Sequence, residues 1–289
     1  MSDASLPPLP QQAAPAPGSA PPRLRPPVPA ARPARARAWV ATTLTVMVLL
    51  MLWWGAAALV LVPPLFLPSP VDVVRKFWLV ATAGFVDATL AQHAAISVGR
   101  VLAALAAALL TAVPLGVAIG LSARVRAVFD PLIEFYRPVP PLAYLPLIVI
   151  WCGIGEGSKI LLIYLAIFAP LAIATVQGVR RVDATRIRAA QSLGASRWQL
   201  VRHVILPSAT PDILTGVRIG LGVGWSTLVA AELIAATRGL GFMIQSAAQF
   251  LVTDVVVMGI FVIAFIAALF EAVLRFLQKK LVPWDGQLE

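Results

Sequence analysis

Charged residues are scarce in this chain of 289 residues: 12% are Asp, Glu, Lys or Arg, about half the share found in a typical soluble domain. Hydrophobic residues make up 60% of the chain, and its mean hydropathy is +0.87. This composition excludes an ordinary soluble globular protein. Long charge-free runs are present, and a bilayer-crossing helix needs roughly 20 apolar residues. The sequence therefore predicts an all-α integral membrane protein.

Cysteine and histidine are nearly absent, which removes several kinds of site. The single cysteine, Cys152, excludes an intramolecular disulfide and a cysteine metal cluster, and its apolar surroundings favour a packing role. His93 and His203 have no second histidine or carboxylate at ligand spacing, so neither indicates a metal site or a catalytic triad. We therefore expect that the chain is not an enzyme and binds no metal or cofactor itself.

A nucleotide-binding motif is also missing, because the chain has no Gly-x-x-x-x-Gly-Lys-Ser/Thr. If ATP is used, it must be bound by another chain. The glycines that are present follow a different pattern, since they recur every four residues and line one face of a helix. This spacing predicts close helix packing at Gly116, Gly120, Gly216, Gly220 and Gly224.

Six apolar runs are predicted to cross the membrane within a transmembrane domain of residues 39–289. Their approximate limits are 39–62, 97–121, 138–154, 160–178, 213–236 and 255–276. The third and fourth runs are separated by Glu156 to Lys159, which leaves room for a tight turn, so these two runs are expected to form a helical hairpin.

Two segments outside these runs have a different character. Residues 1–38 contain eleven prolines and one acidic residue, which predicts a disordered cytoplasmic tail. A cleaved signal peptide is the rival interpretation, but the run at 39–62 exceeds the length of a signal h-region. Residues 71–78 carry apolar side chains at helical spacing, which fits either an interfacial helix on the outer side or a plain loop.

The distribution of Lys and Arg predicts the orientation, because cytoplasmic loops hold the excess of both. If both termini are cytoplasmic, 18 of the 23 basic residues flank the inner ends of the spans. The other five lie outside: Arg75, Lys76, Arg100, Lys159 and Arg238. A nucleic-acid-binding role is excluded because the basic residues flank apolar runs. We expect a multi-pass protein of the cytoplasmic membrane that contacts lipid.

The loop at residues 179–211 is expected to be the largest cytoplasmic segment after the tail. Ala190, Leu193 and Gly194 fall on one side of a short helix, with a basic border. Gly194 permits a sharp turn, and Pro207 is expected to end the segment before it. Such a face suits docking against a partner, although a solvated connector is the alternative when the loop is considered alone.

This loop resembles the EAA loop of ATP-binding-cassette (ABC) importer permeases, which reads Glu-Ala-Ala, then Gly four residues after the second Ala, then Ile-x-Leu-Pro. Two positions depart from that pattern, with Arg188 in place of Glu and Val204 in place of Ile. The resemblance implies a docking loop for an ATPase, and the positions that match are Ala189, Ala190, Gly194, Leu206 and Pro207.

Longer stretches extend the resemblance over residues 39–286. They are Tyr136–Trp151 (YRPVPPLAYLPLIVIW), Ser158–Leu171 (SKILLIYLAIFAPL) and Gly222–Met243 (GVGWSTLVAAELIAATRGLGFM). These segments are similar to permease subunits of the bacterial taurine, aliphatic sulfonate and nitrate importers, and most similar to the taurine type.

The resemblance implies a type I ABC importer (MetI-like) permease of the bacterial inner membrane with six transmembrane helices. A homodimer would form the pore, and two ATP-binding subunits beneath it would carry ATP and Mg. A periplasmic taurine- or sulfonate-binding protein would deliver the substrate. Taurine is the expected substrate, and broader alkanesulfonates or nitrate are the alternatives. An ion-coupled secondary transporter is the alternative of another class, but no internal repeat supports it.

The fifth predicted span holds the candidate residues of the translocation pathway. Glu232 lies near its outer end, where it could face the ammonium group of taurine or take part in a structural ion pair. Trp225, Ser226 and Thr227 follow the glycine-rich face and could line the pathway or pack inside the protein.

Overall fold

A computed structural model describes residues 34–136 and 138–283, with residues 34–39 and 235 described by their backbone alone. Most of the predicted tail, residues 1–33, lies outside these ranges. The chain divides into two units, Met1–Leu49 and Leu50–Glu289, and the core helices and the functional site belong to the second unit. The α-helices are α1 (Ala34–Ala58), α2 (Pro70–Thr82), α3 (Leu90–Leu121), α4 (Ala123–Tyr136), α5 (Leu145–Cys152), α6 (Glu156–Arg180), α7 (Ala184–Ser192), α8 (Arg197–Leu200), α9 (Leu206–Ala235), α10 (Leu240–Gln249) and α11 (Thr253–Leu281).

Five helical stretches of the described residues are long and apolar enough to cross a bilayer: Val40–Ala58, Leu90–Leu121, Glu156–Arg180, Arg197–Ile234 and Thr253–Leu281. The sequence predicted six. The remaining apolar run contains a shorter helical stretch, Pro141–Cys152, which rises only about 18 Å. Proline at its start and the left-handed Gly153 (φ 74°) at its end limit its length. Cys152 is exposed at that end, so the packing role predicted for it within the chain is wrong.

The predicted hairpin turn at 156–159 is also wrong, because these residues form the first turn of α6. The chain instead turns at residues 153–155, and the Ser158 hydroxyl donates to the carbonyl of Gly155 (2.8 Å). The carboxylate of Glu156 then lies in the first turn, where the positive end of the helix dipole stabilises it.

The prediction that Pro207 ends the preceding segment is not met either. The helical path is continuous from Arg197 to Ile234, and Pro207 lies in the first turn of α9. Proline cannot donate to the carbonyl four residues earlier, and its ring crowds that carbonyl. The chain widens into a π-turn at Val201–Ile205, where the Leu206 N–H donates to the Val201 carbonyl, so the helix continues.

Helices α3, α6 and α9 form the core, and glycine brings them close together. A methyl group at Gly116 would lie 2.6 Å from Thr175, and one at Gly120 would lie 2.5 Å from Val179. On the other side of α6, the same substitution at Gly216 would meet Ala174 at 2.6 Å. At Gly220 and Gly224 it would meet Ile167 at 3.0 Å. These separations leave no room for a side chain larger than hydrogen at the three tightest positions.

Side-chain contacts also fix the directions of the core helices. Arg100 near the start of α3 contacts Glu156 at the start of α6, and Gly120 and Val179 meet near their ends. Helices α3 and α6 are therefore parallel. Helix α9 is antiparallel to both, because its Glu232 contacts Arg100. We call the end where α3 and α6 begin and α9 ends the Arg100 end.

Candidate functional site

The loop after α6 folds into a short capped helix, α7. A carboxylate oxygen of Asp183 accepts a hydrogen bond from the Thr185 backbone N–H (2.8 Å), and this bond holds the pKa of Asp183 below its usual value. Gly194 ends the turn with φ 80°, a conformation that L side chains disfavour. Its N–H donates to the carbonyl of Gln191 (2.9 Å). The loop is therefore a defined structural element with a cap at each end.

The outer surface of this loop carries apolar side chains that are not covered within the described residues. Leu193 is 88% exposed and Trp198 is 67% exposed. Arg188 and Ala189 are also exposed, and Ala190 is half-buried. Apolar side chains with a basic border suit contact with another protein. Trp198 was not predicted from the sequence, although a tryptophan in a polar loop was an available signal.

The loop is joined directly to the membrane helices. Leu206 and Pro207 are half-buried, and Ile205 packs in a cluster with Val179 of α6 and Ala209 of α9. The helical path from Arg197 into α9 is unbroken, so the end of the loop and the membrane helix form one continuous element. We refer to the segment from residue 183 to residue 207 as the coupling loop.

A second polar cluster lies at the Arg100 end, where Arg100, Lys159 and Glu232 are buried and Glu156 is exposed. Nε and Nη2 of Arg100 donate to the two carboxylate oxygens of Glu156 (2.6 and 2.7 Å). Its Nη1 donates to Glu232 (2.6 Å) and to the carbonyl of Arg238 (2.9 Å). Lys159 contacts Glu156 at 2.9 Å. The charges of two cations and two carboxylates therefore cancel in this ionic cluster. Glu232 is its fully buried carboxylate.

The same cluster fixes the turn between α9 and α10. The Gly241 N–H donates to Glu232 (2.7 Å), and the Leu240 N–H donates to Ser97 Oγ (2.8 Å). His93 Nδ1 accepts from the Gly239 N–H (3.1 Å), so its Nε2 carries the hydrogen and donates to the carbonyl of Phe85 (3.0 Å). Among the residues of this cluster and turn, only Glu232 was predicted from the sequence as a candidate site residue.

The four predicted pathway residues do not converge on one site. Trp225 is buried against Phe270, with ring centroids 5.5 Å apart, and Thr227 is buried with its hydroxyl on the carbonyl of Val223. Glu232 belongs to the ionic cluster. Only Ser226 lies on an exposed face of α9, in line with Ile219 and Gly222.

A cavity of about 390 Å³ adjoins this part of α9. It is lined by Tyr136, Tyr144, Gln177, Ile219 and Val223, together with apolar side chains of α6. Tyr136 donates to the carbonyl of Leu165 (2.9 Å), so Tyr144 donates to Tyr136 (2.7 Å). The hydroxyl oxygen of Tyr144 retains free acceptor capacity. These tyrosines were not predicted from the sequence, where no local pattern marks them.

Comparison with known proteins identifies the family. Residues 112–284 match the model described as binding-protein-dependent transport system inner membrane component. The taurine transport system permease protein TauC of Escherichia coli (strain K12) is 64% identical over 246 residues, which are 85% of this chain and 90% of that protein.

More distant relatives also match over most of this chain. The putative aliphatic sulfonates transport permease protein SsuC of Bacillus subtilis (strain 168) is 36% identical over 259 residues, which are 89% of this chain and 92% of that protein. The nitrate import permease protein NrtB of Synechocystis sp. is 29% identical over 222 residues, which are 75% and 81% of the two chains.

The matched residues begin inside α3 and include the coupling loop and the cavity. The family is a component of inner-membrane transport systems that depend on a binding protein, which confirms the predicted resemblance and the expectation of a transport component in place of an enzyme. The chain belongs to the family of binding-protein-dependent transport system inner membrane components.

Proposed function

We propose that this chain is the permease subunit of an ATP-driven importer that moves taurine across the bacterial inner membrane by alternating access. The single observation that carries the substrate assignment is the 64% identity to a protein named as a taurine permease, over 85% of this chain. Identity to the named sulfonate and nitrate permeases is 36% and 29%. ATP and Mg are bound by the partner ATPase, and a periplasmic binding protein supplies the substrate.

The coupling loop is the surface on which the ATPase docks. The exposed Leu193 and Trp198 provide apolar anchors, and the arginines around them provide a polar rim, which is the composition of a protein interface. Closure of the ATPase pushes α7, and the continuous helix through the π-turn carries the displacement into α9. Arg188 replaces the motif glutamate, so the polar contacts on the ATPase side must include an acidic or neutral acceptor.

The directions of the core helices support six spans. Helices α3 and α6 are parallel, so the chain must return across the membrane between them. The apolar stretch Pro141–Cys152 is the one described segment in that connection with the composition of a span. Its rise of about 18 Å falls short of a hydrocarbon core of about 30 Å, and the non-helical residues on both sides supply the remainder.

With both termini cytoplasmic, the Arg100 end faces the periplasm and the coupling loop faces the cytoplasm. Cys152, the single cysteine, is exposed and then lies at the periplasmic end. We expect a membrane-impermeant maleimide to label Cys152 from outside in intact spheroplasts. In a Cys152→Ser background, Ser192→Cys should react only after the membrane is permeabilised. Labelling of Ser192→Cys alone in intact spheroplasts would contradict this orientation.

Two copies of the chain form the pore, each bound to one ATPase subunit. The face of α9 with Ile219, Gly222 and Ser226 is exposed within one chain, and it lies beside the cavity that contains Tyr144 and Gln177. A volume of about 390 Å³ is at the small end of ligand pockets, which suits a small zwitterion. The free acceptor on Tyr144 can accept a hydrogen bond from the taurine ammonium group.

Uptake into proteoliposomes tests the substrate assignment. The permease would be reconstituted with its ATPase and binding protein, and uptake of labelled taurine would be measured with excess longer alkanesulfonates or nitrate. We expect saturable uptake that these competitors leave largely intact. Strong competition by alkanesulfonates would instead identify a broad sulfonate permease.

A further inference from the structure

A basic pocket of about 440 Å³ lies between α9 and the end of α11. Its described lining contains three cations and no carboxylate. The lining residues are Arg218, Arg275, Gln278, Lys279, Val282 and Pro283. Neither the coupling loop nor the cavity beside α9 includes any of them.

The pocket lies at the polar limit of two apolar segments. Arg218 directly precedes the uncharged run Ile219–Ala231 of α9, and Glu271 directly follows the uncharged run Val255–Phe270 of α11. Charged side chains that border such runs lie at the level of the lipid headgroups. The pocket therefore opens where a membrane presents phosphate groups.

The cations of the pocket exceed their acidic partners. Nε of Arg218 and Nε of Arg275 donate to the same carboxylate oxygen of Glu271 (3.0 and 2.9 Å), and Nη2 of Arg218 contacts that oxygen as well. One carboxylate thus serves two guanidinium groups. Within the described residues, Lys279 has no ion pair and the Nη groups of Arg275 have no acceptor. Counted over the residues that the structure describes, the cluster has a surplus of two positive charges, and its free donors suit a planar pair of phosphate oxygens.

An apolar stripe continues from the pocket along α11. Phe265 is 71% exposed and Leu269 is 52% exposed, and Ala268 and Ala272 are exposed beside them. These positions precede Arg275 and Lys279 at spacings of three and four residues, so they share one helix face. A molecule held at the pocket by a negative group can lay a long apolar chain along this stripe.

We propose that this pocket binds the phosphate group of an anionic phospholipid, with an acyl chain along the stripe of α11. Free phosphate would use the cations but not the stripe, and a zwitterionic lipid would bring its own cation into a cluster that already has a surplus. The inference depends on the membrane position of α9 and α11 and not on the transported substrate.

The test measures lipid binding to the delipidated full-length chain in detergent. Native mass spectrometry would give the affinity for dioleoylphosphatidylglycerol, and dioleoylphosphatidylcholine and inorganic phosphate would serve as the other two ligands. We expect tighter binding of phosphatidylglycerol than of phosphatidylcholine. Lys279→Gln should weaken phosphatidylglycerol binding about fivefold, equivalent to the roughly 1 kcal/mol that a basic residue contributes near an anionic membrane surface.

Two further variants separate a binding site from a general charge effect. Lys280→Gln removes the same charge from the adjacent residue, which does not line the pocket, and should leave the affinity unchanged. Glu271→Gln removes the carboxylate that pairs with Arg218 and Arg275 and should raise the affinity for phosphatidylglycerol. Equal effects of Lys279→Gln and Lys280→Gln, a lower affinity in Glu271→Gln, or displacement of the lipid by inorganic phosphate would each overturn the proposal.

Discussion

Replacement of Glu232 by glutamine should strongly destabilise the fold at the Arg100 end. The carboxylate of Glu232 is fully buried and accepts hydrogen bonds from Ser97 (2.7 Å), Arg100 (2.6 Å) and the Gly241 N–H (2.7 Å). Glutamine has nearly the same shape, but its amide NH₂ would face one of these donors. The variant therefore loses a buried ion pair and creates a contact between two donors.

The magnitude can be estimated from the geometry. Breaking a buried ion pair costs about 3–5 kcal/mol of the free energy of unfolding. Arg100 keeps its two hydrogen bonds to Glu156, so its charge still has a carboxylate partner. We therefore expect a loss of unfolding free energy at the lower limit, about 3 kcal/mol. The matched control is Asp212→Asn, which removes a carboxylate paired with Arg181, whose side chain is 73% exposed. Asp212 is half-buried, and a pair with one solvent-exposed partner is worth about 0–1 kcal/mol.

The assay is the equilibrium unfolding of both variants in lipid bicelles, measured by steric trapping. A cost in Glu232→Gln that equals the cost in Asp212→Asn would refute the ionic cluster as a stabilising element. Uptake kinetics add a second criterion, because a structural role of Glu232 should lower the amount of active transporter without raising the KM for taurine. A raised KM with normal stability would instead place Glu232 in the pathway.

Substitutions at Gly120, Gly194 and Asp183 test the packing and the coupling loop. Gly120→Ala should lower the free energy of unfolding by about 1–3 kcal/mol because α3 and α6 leave no space there, whereas Gly99→Ala in the same helix meets nothing within 4 Å and should be tolerated in the same unfolding assay. Gly194→Glu should reduce co-purification of the ATPase without preventing membrane insertion. Gly194→Asn should retain more of the ATPase, because asparagine tolerates positive φ. Normal association of the ATPase with both variants would contradict docking at this turn. Asp183→Ala should speed tryptic cleavage within α7, while Asp183→Asn keeps the cap. The Thr185 N–H holds the pKa of Asp183 below its usual value. The stability that the carboxylate contributes to α7 is therefore present above the unfolded-state pKa and is lost as the pH falls through the folded-state pKa. Cleavage of the natural chain by an acid-active protease should accelerate only in that acidic range.

Local patterns predicted the elements that depend on local causes. Apolar runs located the membrane helices, because a helix in a bilayer must satisfy its backbone internally over a fixed length. The glycine spacing predicted tight packing, and the positive φ of Gly194 is the backbone state that a turn at that position requires.

Other features depend on contacts that are distant in sequence. Arg100 and Glu232 are 132 residues apart, so their ion pair depends on the register between α3 and α9, which no local pattern contains. Trp225 follows the glycine-rich face, yet its ring packs on Phe270 of α11. The usual rule that proline stops a helix failed at Pro207, because a π-turn removed the clash.

The most direct test of an ATP-driven permease is the energy source of uptake. Taurine uptake would be measured in proteoliposomes that contain this chain, its ATPase and the binding protein, with ATP and ion gradients varied independently. We predict that uptake requires ATP and persists when ionophores collapse the gradients. Uptake that continues without ATP and stops when the gradients collapse would contradict the account and identify an ion-coupled secondary transporter.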